Sequence, residues 1–349
     1  MFANCGLPEL GFTIYHTGHY RWASLLMDGG GTMPPVMERI FKDHIVYVFL
    51  VAVLAVAAIL SPLFFKLDNL FNILRQASAL GLLAVGQTVV VIAGGIDVSV
   101  AAVMQLAGVM AAEITKGQDR FVLITFLAVL LTGTAIGFGN GILVAKRKVQ
   151  PFVSTLFVGL LISGLRLMVT KATPSGGLPG FIRYLGNAST GPIPNAVIVF
   201  GAAALIIGFM LSRTVFGRSI YAAGGNPVVA NLSGIRVDRL TVFCYMLCGF
   251  LSALAGLVLV GYLGYADQNI GNGYEWDSIA AVAVGGVVLG GGKGKISGAI
   301  AGVLLMTVLL NLVLMLKLRV EYQFIVRGLV IITAVGFYAG QWRWKRLIV

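Results

Sequence analysis

Apolar residues in this chain come in long runs rather than in alternation. Ten runs are candidate membrane helices: about 45–65, 77–96, 98–114, 121–144, 151–170, 193–211, 241–265, 278–291, 296–316 and 324–340, most of them close to the roughly 20 apolar residues a spanning helix needs. The runs at 98–114 and 278–291 are short and glycine-rich at one end. Period-two alternation, which a membrane β-barrel requires, is missing. The pattern predicts an all-α polytopic membrane protein with about ten helices, some broken by glycine.

The polar interruptions carry the rest of the information. "FGRSIYAAGGNPVVANLSGIRVDR" (216–239) is the most polar stretch in the second half of the chain. Asn226 is suited to accept from orphan backbone N–H groups as an N-cap, and Pro227 fits the first helical position. Gly234 can take the left-handed turn that ends a helix. The segment 212–240 is therefore expected to hold a small, stiff helix outside the membrane. In "VIAGGIDVSVAAVMQLAGVMAAE" (91–113), Asp97 lies between two apolar halves. An ionised carboxylate at bilayer depth costs on the order of 3 kcal/mol or more and needs a partner or water. Either Asp97 or Ser99 caps a helix that restarts after Gly94 and Gly95, which is the favoured reading, or Asp97 meets a hydrophilic substrate or relays a proton. A second glycine-broken run, "SIAAVAVGGVVLGGG", surrounds Gly285 and Gly286. Such pairs of interrupted segments can flank a transport path.

Composition agrees. Of 349 residues 58% are hydrophobic and 11% charged, and the mean hydropathy is +0.94, whereas soluble domains carry about 25% charged residues. The net charge of +12 follows from basic residues that flank spans, not from a nucleic-acid surface. With the N-terminus inside, fifteen of the 25 basic residues fall on the cytoplasmic side and eight outside; Arg166 and Arg327 lie within spans. This bias places both ends in the cytoplasm. Arg166 and Arg327 are expected to snorkel to the nearer surface. Residues 1–43 lack the apolar core of a signal peptide and are expected to form a flexible cytoplasmic tail, with the membrane domain over 44–349.

Covalent chemistry finds no support. "LGGGKGKISG" (289–298) imitates a phosphate loop, but Leu289 holds the first glycine position, Ile296 replaces the hydroxyl residue, and no strand precedes it. Any ATPase is expected on another chain. Glu275 and Asp277 lie two residues apart at a helix entrance, where they would cap and charge its N-terminus. Cys5, Cys244 and Cys248 are an odd set, and the last two suit packing inside a span. His16, His19 and His44 all precede or begin the first span. Small-residue runs such as "GLLAVG" and "SGAIAG" allow close helix approach.

Three segments together carry a resemblance: "GQTVVVIAGGIDVSV" (86–100), "FGRSIYAAGGNPVVANLSGIRVDR" (216–239) and "GYEWDSIAAVAVGGVVLGGGKGKISGAIAGVLL" (273–305). They resemble the permeases of bacterial ABC-type monosaccharide importers, the ribose, galactose and arabinose group. The likeness runs from about residue 60 to 332 and includes "NGILVAKRKVQPFVSTL" (140–156) and "YQFIVRGLVII" (322–332). It implies a type II-like importer architecture in the bacterial inner membrane. Two permeases, a second copy or a paralogue, would sit beside two ATP-binding subunits, and a periplasmic binding protein would deliver the sugar. No cofactor is implied for this chain, since ATP is held by the partner. The resemblance also gives the polar helix a role in docking the ATP-binding subunit, through Gly217, Arg218, Tyr221, Gly224, Gly225, Asn226, Pro227, Ala230, Ser233 and Gly234.

On this reading the sugar passes along small and polar side chains, with Gln87, Gly94, Gly95, Asp97, Ser99 and Gln105 as candidate lining and Glu275 and Asp277 at the periplasmic helix entrance. Two departures stand out. Many relatives have Arg-Gly in the fifth span, where this chain has Ser163-Gly164 with Arg166 three residues after Ser163. The first thirty or so residues have no recognised counterpart, so Met33 or Met37 is a candidate start. The rival reading is an ion-coupled secondary transporter of a small polar solute, using Asp97.

Overall fold

A computed structural model of the protein describes residues 35–61, 63–171, 173–174, 176–317, 319, 321–325, 328–329 and 332, with side chains from Val46 onward. The tail before residue 35, Cys5, His16, His19, Met33, Arg327 and most of the run at 324–340 lie outside the described residues. The chain divides into two compact units, Met1–Ile45 and Val46–Val349.

The elements in order are α1 (Pro35–Leu60), α2 (Leu67–Ile92), α3 (Val100–Thr115), α4 (Val122–Ala145), α5 (Pro151–Thr170), α6 (Gly180–Gly186), a two-residue hairpin of β1 (Ser189–Thr190) and β2 (Ile193–Pro194), α7 (Asn195–Arg213), α8 (Val215–Gly225), α9 (Pro227–Leu232), α10 (Val237–Leu263), α11 (Tyr274–Val284) and α12 (Ile296–Met315). Among the described residues, six helices are long and apolar enough to cross a membrane. They fall into two groups. The most apolar stretches of α2, α10 and α12 are 89%, 72% and 67% buried, whereas those of α4, α5 and α7 are 22%, 28% and 33% buried. The second group shows leucine, isoleucine and phenylalanine outward, as lipid permits and water does not.

α10 is the central post, packed against α2, α3, α4 and α6. Its crossing with α4 runs on glycine. A methyl group added at Gly249 would lie 2.1 Å from the Gly133 carbonyl oxygen, and one at Gly137 would lie 2.2 Å from the Tyr245 carbonyl oxygen. The runs noted in the sequence do the same: Gly298 of "SGAIAG" would meet the Gly285 oxygen at 2.0 Å and Gly302 the Ala281 oxygen at 2.0 Å. Backbones this close leave no slack. Gly249→Val is therefore expected to destabilise the fold by about 3 kcal/mol or more, read as a lowered thermal transition in detergent. Gly201→Val, with nothing within 4 Å, should leave that transition in place.

Three predicted spans are redrawn, and the run placed at 45–65 belongs to α1, which begins at Pro35 and ends at Leu60. The run placed at 77–96 begins at Leu67, because polar residues of its first turns are bonded sideways: Asn69 and Asn311 exchange hydrogen bonds at 3.2 and 3.1 Å. The run placed at 278–291 is instead the 11-residue α11 followed by a glycine loop. At 1.5 Å per residue α11 reaches about 16 Å, roughly half a bilayer core.

Candidate functional site

Three groups of residues stand apart from the apolar packing. The first is the break between α2 and α3. The helix ends at Ile92, Gly94 takes φ +89°, and helical geometry resumes at Val100. Side chains from three helices take up the freed backbone groups, and a fourth helix reaches the break through Ser99. Val98 N–H donates to Thr155 Oγ1 of α5 at 3.0 Å, and Tyr245 of α10 donates to the Ile96 oxygen at 3.3 Å. The Gln87 carboxamide, turned so that its nitrogen faces the Asp97 oxygen, brackets the Asp97 backbone at 3.1 and 3.2 Å. Asp97 Oδ1 accepts from Ser99 N–H at 2.9 Å and Ser99 Oγ at 2.6 Å, and Asn140 of α4 donates to Ser99 Oγ at 2.9 Å. An interrupted helix inside an apolar bundle is tolerable only with such partners.

The capping expectation for this break is thus corrected. Ser99 sits at the N-cap position without a side-chain bond to the helix, and Asp97 closes the turn onto Ser99 rather than capping α3. Gln87, Asp97, Ser99 and Gly95 are all buried; only Gly94 is exposed.

The second group lies near the far end of α5. Arg166, expected to snorkel, is instead 6% exposed and donates through Nη1 to Gln105 Oε1 of α3. Gln105 Nε2 donates to Asn272 Oδ1 at 2.6 Å, and Asn272 Nδ2 to Asn269 Oδ1 at 3.2 Å. One turn above, Gln268 donates to Thr170 Oγ1. The cluster therefore ties α3 and α5 to the 264–273 loop. Arg166 Nε and Gln268 Oε1 are buried without a hydrogen-bond partner among the described residues. Arg166 pointed to this group from the sequence, whereas Asn272, Gln268 and Thr170 carried no signal there. Glu275 and Asp277 sit in the first turn of α11, where they charge it; the N-cap is Gly273, with no side-chain cap bond. An apolar cleft of about 580 Å³ between α3, α4 and α5 touches Arg166 and Asn140, and its wall suits hydrocarbon rather than hydroxyl groups.

The third group is the polar segment 212–240. The expected short helix is present as α9: Asn226 Oδ1 accepts from Val228 and Val229 N–H at 3.1 Å each, Pro227 is the first residue, and Gly234 takes φ +83°. A second helix, α8, precedes it. Thr214 caps it by accepting from Gly217 N–H at 3.0 Å, a local N-cap of ordinary type. Arg218, Gly225, Asn226, Pro227, Ser233 and Gly234 are exposed, Gly217 and Ala230 are buried, and Tyr221 and Gly224 are half-buried. Burial raises the Tyr221 hydroxyl above the ordinary tyrosine value. Beside Asn226, Val228, Val229 and Leu232 stand 66%, 55% and 84% exposed, an apolar face that the sequence did not single out.

A bundle of apolar helices, with interrupted members held by internal polar bonds and a capped helix pair at one end, defines a multi-pass membrane permease. Residues 69–335 match the family described as branched-chain amino acid transport system / permease component, and the chain belongs to that family. It is similar to the ribose import permease protein RbsC of Escherichia coli K12, 40% identical over 292 residues that cover 82% of this chain and 90% of the relative. RbsC of Bacillus subtilis is 39% identical over 287 residues, 80% of this chain and 87% of the relative. The galactose/methyl galactoside import permease protein MglC of Escherichia coli K12 is 32% identical over 313 residues, 84% and 93%. No solved structure matches the chain significantly.

Proposed function

We propose that this chain is the membrane subunit of an ATP-driven monosaccharide importer in a bacterial inner membrane, with both termini cytoplasmic. A periplasmic binding protein delivers the sugar, a second copy or a paralogue completes the path, and a separate subunit hydrolyses ATP. The observation that carries this reading is the α8–α9 pair: two short helices, each capped by a side chain, presenting Val228, Val229 and Leu232 outward. Exposed aliphatic residues on a stiff element mark an interaction face, and the names of the relatives support an importer as its setting. The Arg166–Gln105–Asn272 cluster offers the donors and acceptors that sugar hydroxyls use, and is the proposed outer contact of the substrate. The ion-coupled reading leans on Asp97, whose Oδ1 is already engaged by Ser99.

The test is reconstitution in liposomes with the ATP-binding subunit and the sugar receptor. Ribose uptake is expected to require ATP hydrolysis and receptor. Uptake that survives ATP depletion and collapses with the ion gradient would overturn the proposal.

A further inference from the structure

The two helix breaks and the polar helix pair meet at one point, and they meet through glycine backbones. Gly224 closes α8. A methyl group there would lie 1.8 Å from the Ile92 oxygen, at the end of α2, and 2.7 Å from the Gly292 nitrogen. One at Gly291 would lie 2.7 Å from the Gly224 oxygen and 2.9 Å from Gly94 Cα. Gly292 N–H donates to the Ile92 oxygen at 2.8 Å, joining the loop after α11 to the end of α2. Tyr221 of α8 donates to the Gly294 oxygen of that same loop at 2.8 Å. Phe216 packs edge-on against Phe243 of α10, with ring centroids 4.8 Å apart. Gly94, Gly291 and Gly292 all have positive φ, from +73° to +89°, which side chains rarely allow.

We propose that Gly224 and Tyr221 are positioning residues for transport: they pass motion of α8–α9 to both interrupted helices at once, through Gly94 on one side and Gly291–Gly294 on the other. Long side chains free at their tips would absorb a displacement by changing rotamer, whereas the Tyr221 tip is held by the Gly294 oxygen. Backbones in van der Waals contact cannot absorb it, because packed interfaces move between discrete arrangements rather than deforming smoothly. A cavity of about 370 Å³ beside the junction, bordered by Gly94, Gly95, Ala223, Gly224, Pro227 and Gly290, leaves room for the contact to shift. The proposal rests on the reading of α8–α9 as the element gripped by the ATP-binding subunit.

The experiment measures ribose imported per ATP hydrolysed by the complete importer in liposomes. Gly224→Ala is expected to lower this ratio about tenfold, within the range by which residues along a coupling route act. Tyr221→Phe, which removes one hydroxyl, is expected to lower it about threefold. Gly201→Ala on α7 should match the unsubstituted protein. A merely structural role would reduce assembled complex, hydrolysis and uptake together and leave the ratio unchanged, which overturns the proposal. If Gly224→Ala fails to assemble, Tyr221→Phe decides: a lowered ratio upholds the junction and an unchanged one removes it. If the unsubstituted complex neither binds the ATP-binding subunit nor imports sugar, the functional reading falls and the junction with it; if it imports and both variants equal it, only the junction falls.

Discussion

Arg166→Ala is expected to cut sugar uptake about tenfold or more while the complex still hydrolyses ATP, since hydrogen bonds to charged groups are worth about 1.5–3 kcal/mol. Arg166 is buried, bonded to Gln105, and through it to Asn272 and the 264–273 loop. Removing the guanidinium leaves Gln105 Oε1 facing an apolar neighbourhood and unties α5 from α3. Gln105→Ala should give the same defect, and the double variant should be no worse than either alone, because residues in one network do not add. Arg166→Lys should recover only part of the uptake, since a lysine supplies a point charge and not a planar fork. Concentration-dependent uptake in liposomes checks all four variants. Normal uptake by Arg166→Ala would remove this cluster from the sugar's route.

Asn226→Ala and Pro227→Gly are expected to separate hydrolysis from uptake. Asn226 ends α8 and begins α9, and losing its two bonds to Val228 and Val229 N–H costs about 1 kcal/mol of helix stability. For a helix of six residues that is a large share, since short helices are marginal even with good sequences. A frayed α9 would yield when pushed, so ATP would be spent with little sugar moved. Asn226→Ser, which keeps a capping oxygen, should retain coupling. Membrane insertion of all three should be unaffected. Wild-type uptake by both Asn226→Ala and Pro227→Gly would show that α9 need not be stiff.

Hydropathy placed α4, α5 and α12 almost to the residue, because their ends coincide with a change from apolar to basic or glycine-rich sequence. The α9 cap was equally legible, since capping is local chemistry. What escaped depended on distant partners. α2 begins ten residues before its expected start, where Asn69 is matched by Asn311 and Gln76 donates to the Tyr262 hydroxyl at 3.4 Å; no window centred on 67–76 contains either partner. The height of Arg166 along its span was clear, but an almost uniformly apolar helix does not say which way it is rotated. Its bond to Gln105, 61 residues earlier, decides that. The convergence of Gly94, Gly224 and Gly291 was hidden for the same reason: each glycine alone looks like a turn.

The break at 93–99 is a clasp rather than a flap. Its backbone is fastened to Gln87, Thr155 and Tyr245, and Asn140 reaches it through Ser99. Swinging it alone would undo all of these at about 1 kcal/mol each even by aqueous standards. Opening is cheaper if the clasped helices travel together as one plate, so α2, α3, α4, α5 and α10 are expected to keep their mutual distances while transport proceeds.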